Sequence, residues 1–265
     1  MSTPTGWNVH TILVPLDHSE GSQCALAAAL NVAHCNGLET VHLVHAVDPD
    51  MFGAVSADLD HYMIEPLIQA GRELLSRAGE RVHGTGLEAV PQLLEDAPVD
   101  AILDAVTSTH ADLVVMATRG RSGLRRILGS VGLGVITYAP CSVLAVPEIP
   151  DDWQIRRILL PLDRFDEALV TPVVEIARKR SAQLIVLADN DETRRDAQTA
   201  LDRTGVNTQV LRTTATIAET ARHQEADLVV VLPAASTHHN VKLDHRVQIL
   251  LHELHCPLLI VRARP

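Results

Sequence analysis

Ile12-Leu13-Val14-Pro15-Leu16-Asp17 returns later in the chain as Ile158-Leu159-Leu160-Pro161-Leu162-Asp163, each time an apolar run, a proline and a closing aspartate. Two further segments repeat. Ala111-Asp112-Leu113-Val114-Val115 returns as Ala226-Asp227-Leu228-Val229-Val230, and Cys141-Ser142-Val143-Leu144 as Cys256-Pro257-Leu258-Leu259, with the same spacing between these last two pairs in both halves. Repetition at this scale makes the chain a tandem of two copies of one plan. Pro147, Pro150, Asp151 and Asp152 punctuate the join, which predicts one domain over 1–148 and a second over 153–265.

Working outward from the repeats, apolar runs at 11–16, 41–47, 87–94, 113–117 and 142–146 read as strands of the first half. Most are continuous rather than alternating, as strands are in a parallel sheet covered on both faces. Helical periods lie between them. Ala25, Leu26, Ala29, Leu30 and Ala33 recur at helix spacing between Ser19, an N-cap residue type, and Gly37, a stop. Leu67, Leu74, Leu75, Ala78 and Val82 make a second stripe, and Ile102, Leu103 and Val106 a third behind Pro98. Strand and helix alternate, so the class is α/β with two doubly wound parallel-sheet domains in tandem. In the second half the strands read 158–162, 184–188, 206–211, 228–232 and 258–261, and only a brief polar stretch, 189–205, answers the long helical segment between Asp48 and Leu87. The second half reads as a degenerate copy.

A chain of 265 residues with 46% hydrophobic residues has material for two cores. Its formal net charge of -11 opposes nucleic acid or an anionic membrane as partner, because both would repel it. No apolar run nears the roughly 20 residues of a bilayer-spanning helix, and 1–10 carries no apolar targeting segment, so a soluble cytoplasmic protein is expected. Cys24, Cys35, Cys141 and Cys256 form no CxxC pair and sit among apolar neighbours, which fits reduced core residues rather than a disulfide framework.

No GxxxxGK[ST] loop is present, and Gly129, Gly132 and Gly134 do not lie between a first strand and its helix as a dinucleotide fingerprint requires. What remains is Ala117-Thr118-Arg119-Gly120-Arg121-Ser122-Gly123 at the end of the fourth run, then Gly129-Ser130-Val131 opening another helix. Glycines admit close approach of an anion, and free N–H groups at a helix start bind phosphate. The same stretch also reads as a plain glycine-rich turn with Arg121, Arg125 and Arg126 on a solvated face, and Asp17 as a cap for the helix that follows it. Both features fall at carboxyl ends of strands, where doubly wound sheets bind ligands. His238, His239, His245, His252, His255 and Cys256 crowd the far end of the chain, with His252 and His255 three apart on one helical face. No second closely spaced pair completes a metal site, and no metal is assigned.

The run from Ala111 through Gly120 and Gly129-Ser130-Val131 to Ala139-Pro140-Cys141-Ser142-Val143-Leu144, with the opening Ile12 to Asp17, resembles the signature of the universal stress protein family. The likeness covers the first half throughout and the second at its opening, fourth-strand and closing segments. It implies the adenine nucleotide α-hydrolase-like fold, strand order 3-2-1-4-5, with ATP, ADP or AMP, and Mg as an accompanying ion, between the first and fourth strands. By the same resemblance Asp17 takes the adenosine end, Ala46 and Met116 line the adenine and ribose pocket, and Pro15, Leu16 and Ala117 are further nucleotide-binding candidates. Arg119, Gly120, Gly129, Ser130 and Val131 hold the phosphates. The chain departs from the family pattern at Ala117 and Asp96, each where a glycine is usual, and in a shortened stretch between Gly120 and Gly129; Asp96 is expected to repel phosphate. In the second half, Ala235, Asp244 and His245 stand opposite Gly120, Gly129 and Ser130, so that site is expected to be dead.

Two functions follow. One is a nucleotide-binding regulatory or stress-response protein whose occupancy alters conformation or partner choice; the other is a scaffold of the same fold that binds no nucleotide. An enzyme lacks a base, nucleophile or metal set, and slow ATP hydrolysis is the most the resemblance implies. The resemblance also implies an intramolecular pseudo-dimer through the closing strands 143–146 and 258–261, and a homodimer beyond it.

Overall fold

The structure is a computed structural model that describes residues 9–51, 57–118, 129–232 and 245–262, with the backbone alone over 57–62. Two compact units divide the chain, one over Val9–Val146 and one from Pro147 onward.

In the first unit the repeated opening run forms β1 (Ile12–Pro15). It is followed by α1 (Glu20–Asn36), β2 (Thr40–Val47), α2 (Ala57–His83), β3 (Glu88–Glu95), α3 (Pro98–Thr109), β4 (Leu113–Ala117), α4 (Ser130–Tyr138) and β5 (Ser142–Val146). The strands are parallel in the order β3-β2-β1-β4-β5, the expected 3-2-1-4-5. Ile12, Leu13, Val14, Leu113, Val114 and Val115 have no exposed surface, which is why their runs carry no polar alternation.

The second unit holds β6 (Arg157–Leu162), α5 (Glu167–Arg180), β7 (Gln183–Ala188), α6 (Asp191–Leu201), β8 (Thr208–Leu211), α7 (Ile217–His223), β9 (Leu228–Val231), α8 (His245–Glu253) and β10 (Leu258–Ile260). Its own order, β8-β7-β6-β9-β10, is the same plan. Where the sequence promised only a polar stretch there is a helix, α6. Asn190 caps it by accepting from Thr193 N at 2.8 Å, and Thr193, Ala197 and Leu201 bury one narrow stripe. A stripe of one threonine, one alanine and one leucine is too weak a period to read against seven polar neighbours.

Caps set the helix limits. The Ser19 hydroxyl accepts from Ser22 N at 3.2 Å to open α1, and Gly37 closes it at φ 67°. In α2 the buried stripe is Ile68, Leu74, Leu75, Ala78 and Val82, one residue on from the expected Leu67 at its start. Gly71 lies mid-helix, where glycine is about 0.8–1.0 kcal/mol less favourable than alanine. A Cβ there would come within 2.5 Å of His45 Cδ2 and 2.7 Å of Leu93 Cδ1, so any side chain would displace the His45 ring and the Leu93 methyl.

The repeated Ala-Asp-Leu-Val-Val segment has a physical reason. Asp112 Oδ2 accepts from His10 N at 2.6 Å and Thr11 N at 3.0 Å, tying the chain that leads into β1 to the start of β4. Asp227 does the same for β6, accepting from Arg156 N at 2.9 Å and Arg157 N at 2.8 Å, while its carbonyl takes Trp153 Nε1 at 3.1 Å. One carboxylate thus satisfies two backbone donors that no strand can reach.

None of the four cysteines forms a disulfide. Cys141 and Cys256 are buried as expected, whereas Cys35 is exposed, because it falls on the solvent side of the last turn of α1. Among the described residues no helix is long and apolar enough to cross a membrane.

Asp112→Ala and Asp227→Ala should each destabilise the chain by about 1.5–3 kcal/mol, the worth of a hydrogen bond to a charged group, measured as a lowered urea midpoint. An unchanged midpoint would contradict the clamp. Burial, and secondly the Asp227 charge, push the Cys256 thiol up to about 12. At pH 8 it therefore stays protonated, and maleimide should label Cys35 in the folded chain but Cys256 only after denaturation.

Candidate functional site

The site begins with a split in the first sheet. β1 and β4 pair only at Ile12↔Leu113 and Leu13↔Val114. Beyond that, β1 continues with β2 to Pro15↔Val44 and β4 with β5 to Ala117↔Val146. Two strands held by outer neighbours and not by each other leave a crevice at their carboxyl ends, at the point where the strand order reverses.

On the β1 side, Pro15 ends the strand half-exposed and Leu16 is buried. Leu16 donates to Val44 O at 2.8 Å, and its carbonyl is 2.8 Å from His45 Nδ1. Asp17 is not the helix cap; Ser19 is. Asp17 Oδ1 instead accepts from Ser19 N at 3.0 Å and from the Ser19 hydroxyl, and Ser22 Oγ donates to the Asp17 carbonyl at 2.7 Å. Among the described residues, Oδ2 carries no hydrogen bond, so the carboxylate is oriented by one oxygen and available by the other.

On the β4 side, Met116 is buried opposite Ala145 and Ala117 half-buried opposite Val146. Ala46, on β2 opposite Leu94, is half-exposed. Arg119 and Gly120, like Arg121, Arg125 and Arg126, lie outside the described residues. Gly129 has extended backbone, φ -61° and ψ 161°, and makes no side-chain cap for α4. Nothing among the described residues lies within 4 Å of where its Cβ would stand, so neither backbone nor packing demands glycine there. The first backbone bond into α4 is Leu133 N to Gly129 O at 3.0 Å. The N–H groups of Ser130, Val131 and Gly132 precede it and have no helical carbonyl to meet, which fits an anion at this end.

Asp96 follows the edge strand β3, which β2 separates from β1 in the strand order. Its Oδ1 turns back to accept from Ala97 N at 2.7 Å.

Sequence reasoning missed His45 and Gly71. His45 precedes the candidate residue Ala46, stands edge-on to His18 with ring centres 5.7 Å apart, and packs on the bare face of α2. A glycine inside a long helical period was the readable signal.

In the corresponding place of the second unit the loop carboxylate is engaged by the chain itself. β6 and β9 also pair over only Ile158↔Leu228 and Leu159↔Val229. Here Asp163 Oδ2 is 2.6 Å from Arg246 Nη1, and Arg246 is the residue that equal spacing sets opposite Val131. Asn190 Nδ2 and Thr193 Oγ1 donate to the Asp163 carbonyl at 3.2 and 2.9 Å. An ion pair thus joins the loop carboxylate to the start of α8, whose first residue is His245. Ala235, Asp244, His238 and His239 lie outside the described residues; His252 and His255 are exposed, and among the described residues no three His, Cys, Asp or Glu side chains group to hold a metal.

Sheet order, crevice and helix start together make the chain a tandem of doubly wound α/β units with the adenine nucleotide α-hydrolase-like fold. It belongs to the universal stress protein family, whose pattern it matches over residues 8–147. A universal stress protein of Methanocaldococcus jannaschii is 34% identical over 137 residues, spanning 51% of this chain and 80% of the relative. One from Thermus aquaticus is 35% identical over 143 residues, 51% of this chain and 97% of the relative. In fold alone, the crystal structure of a universal stress protein from Archaeoglobus fulgidus matches 95% of this chain and 98% of its own, with a TM-score of 0.74 at 17% identity.

The Asp163–Arg246 pair is largely exposed, so solvent screening leaves it little weight in stability. Arg246→Gln should shift unfolding by less than about 1 kcal/mol and should not add a second nucleotide site in calorimetric titration; a gained site would show that the ion pair alone blocks the crevice.

Proposed function

We propose that the first domain, 1–148, binds an adenine nucleotide and that its occupancy sets conformation or partner choice in a cytoplasmic stress response. The second domain, 153–265, serves as a scaffold of the same fold. The observation that carries this reading is an oriented Asp17 carboxylate after β1 together with an α4 start that, among the described residues, has no side-chain cap, in a unit whose β1 and β4 part after two pairs.

Asp17 would receive hydroxyl donors of the ribose, since an ionised carboxylate only accepts. Gly129, Ser130 and Val131 would take the phosphates through backbone N–H groups and the Ser130 hydroxyl, with Arg119 and Gly120 completing the loop. ATP, ADP and AMP share this chemistry, and Mg would accompany the phosphates of ATP. The chain's own residues bind and orient; none of those assigned here is a base placed to activate water, so binding rather than turnover is the proposed output. The scaffold reading of the second domain is favoured by its internal ion pair, which engages Asp163 and sets a cation of the chain itself at the helix start.

The test is to denature purified protein and identify released nucleotide by mass, then titrate ATP into variants. Asp17→Ala should weaken binding roughly ten- to a hundredfold, and Asp163→Ala should not. Gly129→Asp places at α4 the residue type that stands opposite it in the second half, Asp244. Aspartate is a good N-cap, so this variant should fold with equal or higher stability yet lose ATP. Binding retained in Gly129→Asp, or lost in Asp163→Ala, would overturn the reading.

A further inference from the structure

We propose that His45 is a positioning residue for the adenosine end of this site, holding the Asp17 loop through a side-chain bond that replaces a rung of the sheet. The inference rests on the nucleotide reading above and adds to it a residue and a route by which α2 reaches the site.

The two units show the substitution directly. In the second, Asp189 N donates to the Leu162 carbonyl at 3.0 Å, an ordinary parallel rung one residue past Leu162↔Ala188. Continuing the register of the first unit past Pro15↔Val44 sets Leu16 against His45, so the matching rung would run from Ala46 N to the Leu16 carbonyl. Among the described residues that bond is not made. The Leu16 carbonyl instead meets His45 Nδ1 at 2.8 Å. A carbonyl only accepts, so Nδ1 carries the proton, and the tautomer is fixed by this contact.

The rung is therefore exchanged for a side chain in the unit with the candidate site and kept in the unit without it. A residue later, Asp17 braces Ser19, which opens α1. The ring that makes the bond is itself held from behind, since Gly71 of α2 leaves no room for a Cβ. His18, in the same loop, stands edge-on to it. The bare face of α2, His45, the Leu16 carbonyl and the Asp17 carboxylate form one chain of contacts. Glycine, a poor residue inside a 27-residue helix, is explained by what lies against it.

The test uses the full-length chain. His45→Phe keeps the ring and removes the donor, His45→Asn keeps an N–H near the Nδ1 position, and Gly71→Ala displaces the ring. Hydrogen–deuterium exchange of the segment 16–22 is followed without nucleotide, and ATP affinity by calorimetry. His45→Phe and Gly71→Ala should speed exchange in 16–22 and weaken ATP about three- to tenfold, as loss of one neutral hydrogen bond allows. His45→Asn should recover most of both. Unchanged exchange in 16–22 for His45→Phe would overturn the proposal whatever happens to ATP, as would faster exchange with unchanged affinity. If wild-type protein binds no adenine nucleotide while the segment still loosens in His45→Phe, the nucleotide reading falls and His45 keeps its role in holding the loop.

Discussion

Two residue pairs are all that join β1 to β4 before the strands turn to outer partners, and the rest of the first unit is organised around that separation. A parallel sheet whose order reverses at its first strand sends successive crossover helices to opposite faces, so the adjoining strands feed their loops away from each other. The gap needs walls that do not collapse. Val44 and His45 hold the β1 side through Leu16, and Val146 holds the β4 side through Thr118 N at 2.9 Å. Asp112 pins the opposite end, so β1 and β4 start together even though they finish apart.

The second unit has the same split and a different outcome, which separates what the fold requires from what the site requires. Asp227 repeats the pin, and β6 and β9 part after two pairs as well. The split is thus a property of the fold. What differs is the occupant: Arg246 reaches Asp163, Asn190 and Thr193 gather on the Asp163 carbonyl, and a backbone rung stands where the first unit uses His45. A long α2 with a glycine against the sheet belongs to the first unit, and an eleven-residue α6 takes its place in the second.

Much of this was legible in the sequence because burial leaves a coarse mark. Continuous runs such as Leu113-Val114-Val115 show no alternation since both faces of the sheet are covered, and the proline and aspartate ending Ile12 to Asp17 mark where cover stops. Ser19 and Gly37 announced the limits of α1 through the chemistry of capping. What was not legible is contact at a distance in the chain. Asp17 looked like a cap, but the hydroxyl two residues on does that work, and only geometry distinguishes the two. Nothing in the sequence marks Arg246 as the partner of Asp163, 83 residues away. The α6 stripe was too thin to raise above its polar setting, and the reason for Asp112 and Asp227 became visible only when the strands they serve were in place.

The central claim is that one chain offers one adenine-nucleotide site and that it lies in the first unit. Photolabelling with 8-azido-ATP, with excess ATP as competitor, followed by mass-spectrometric mapping of the modified peptides, tests it most directly. The expected result is competable label confined to peptides of 9–146, around the ends of β1, β2 and β4. Competable label on peptides of 153–265, or no competable label anywhere in the chain, would contradict the account.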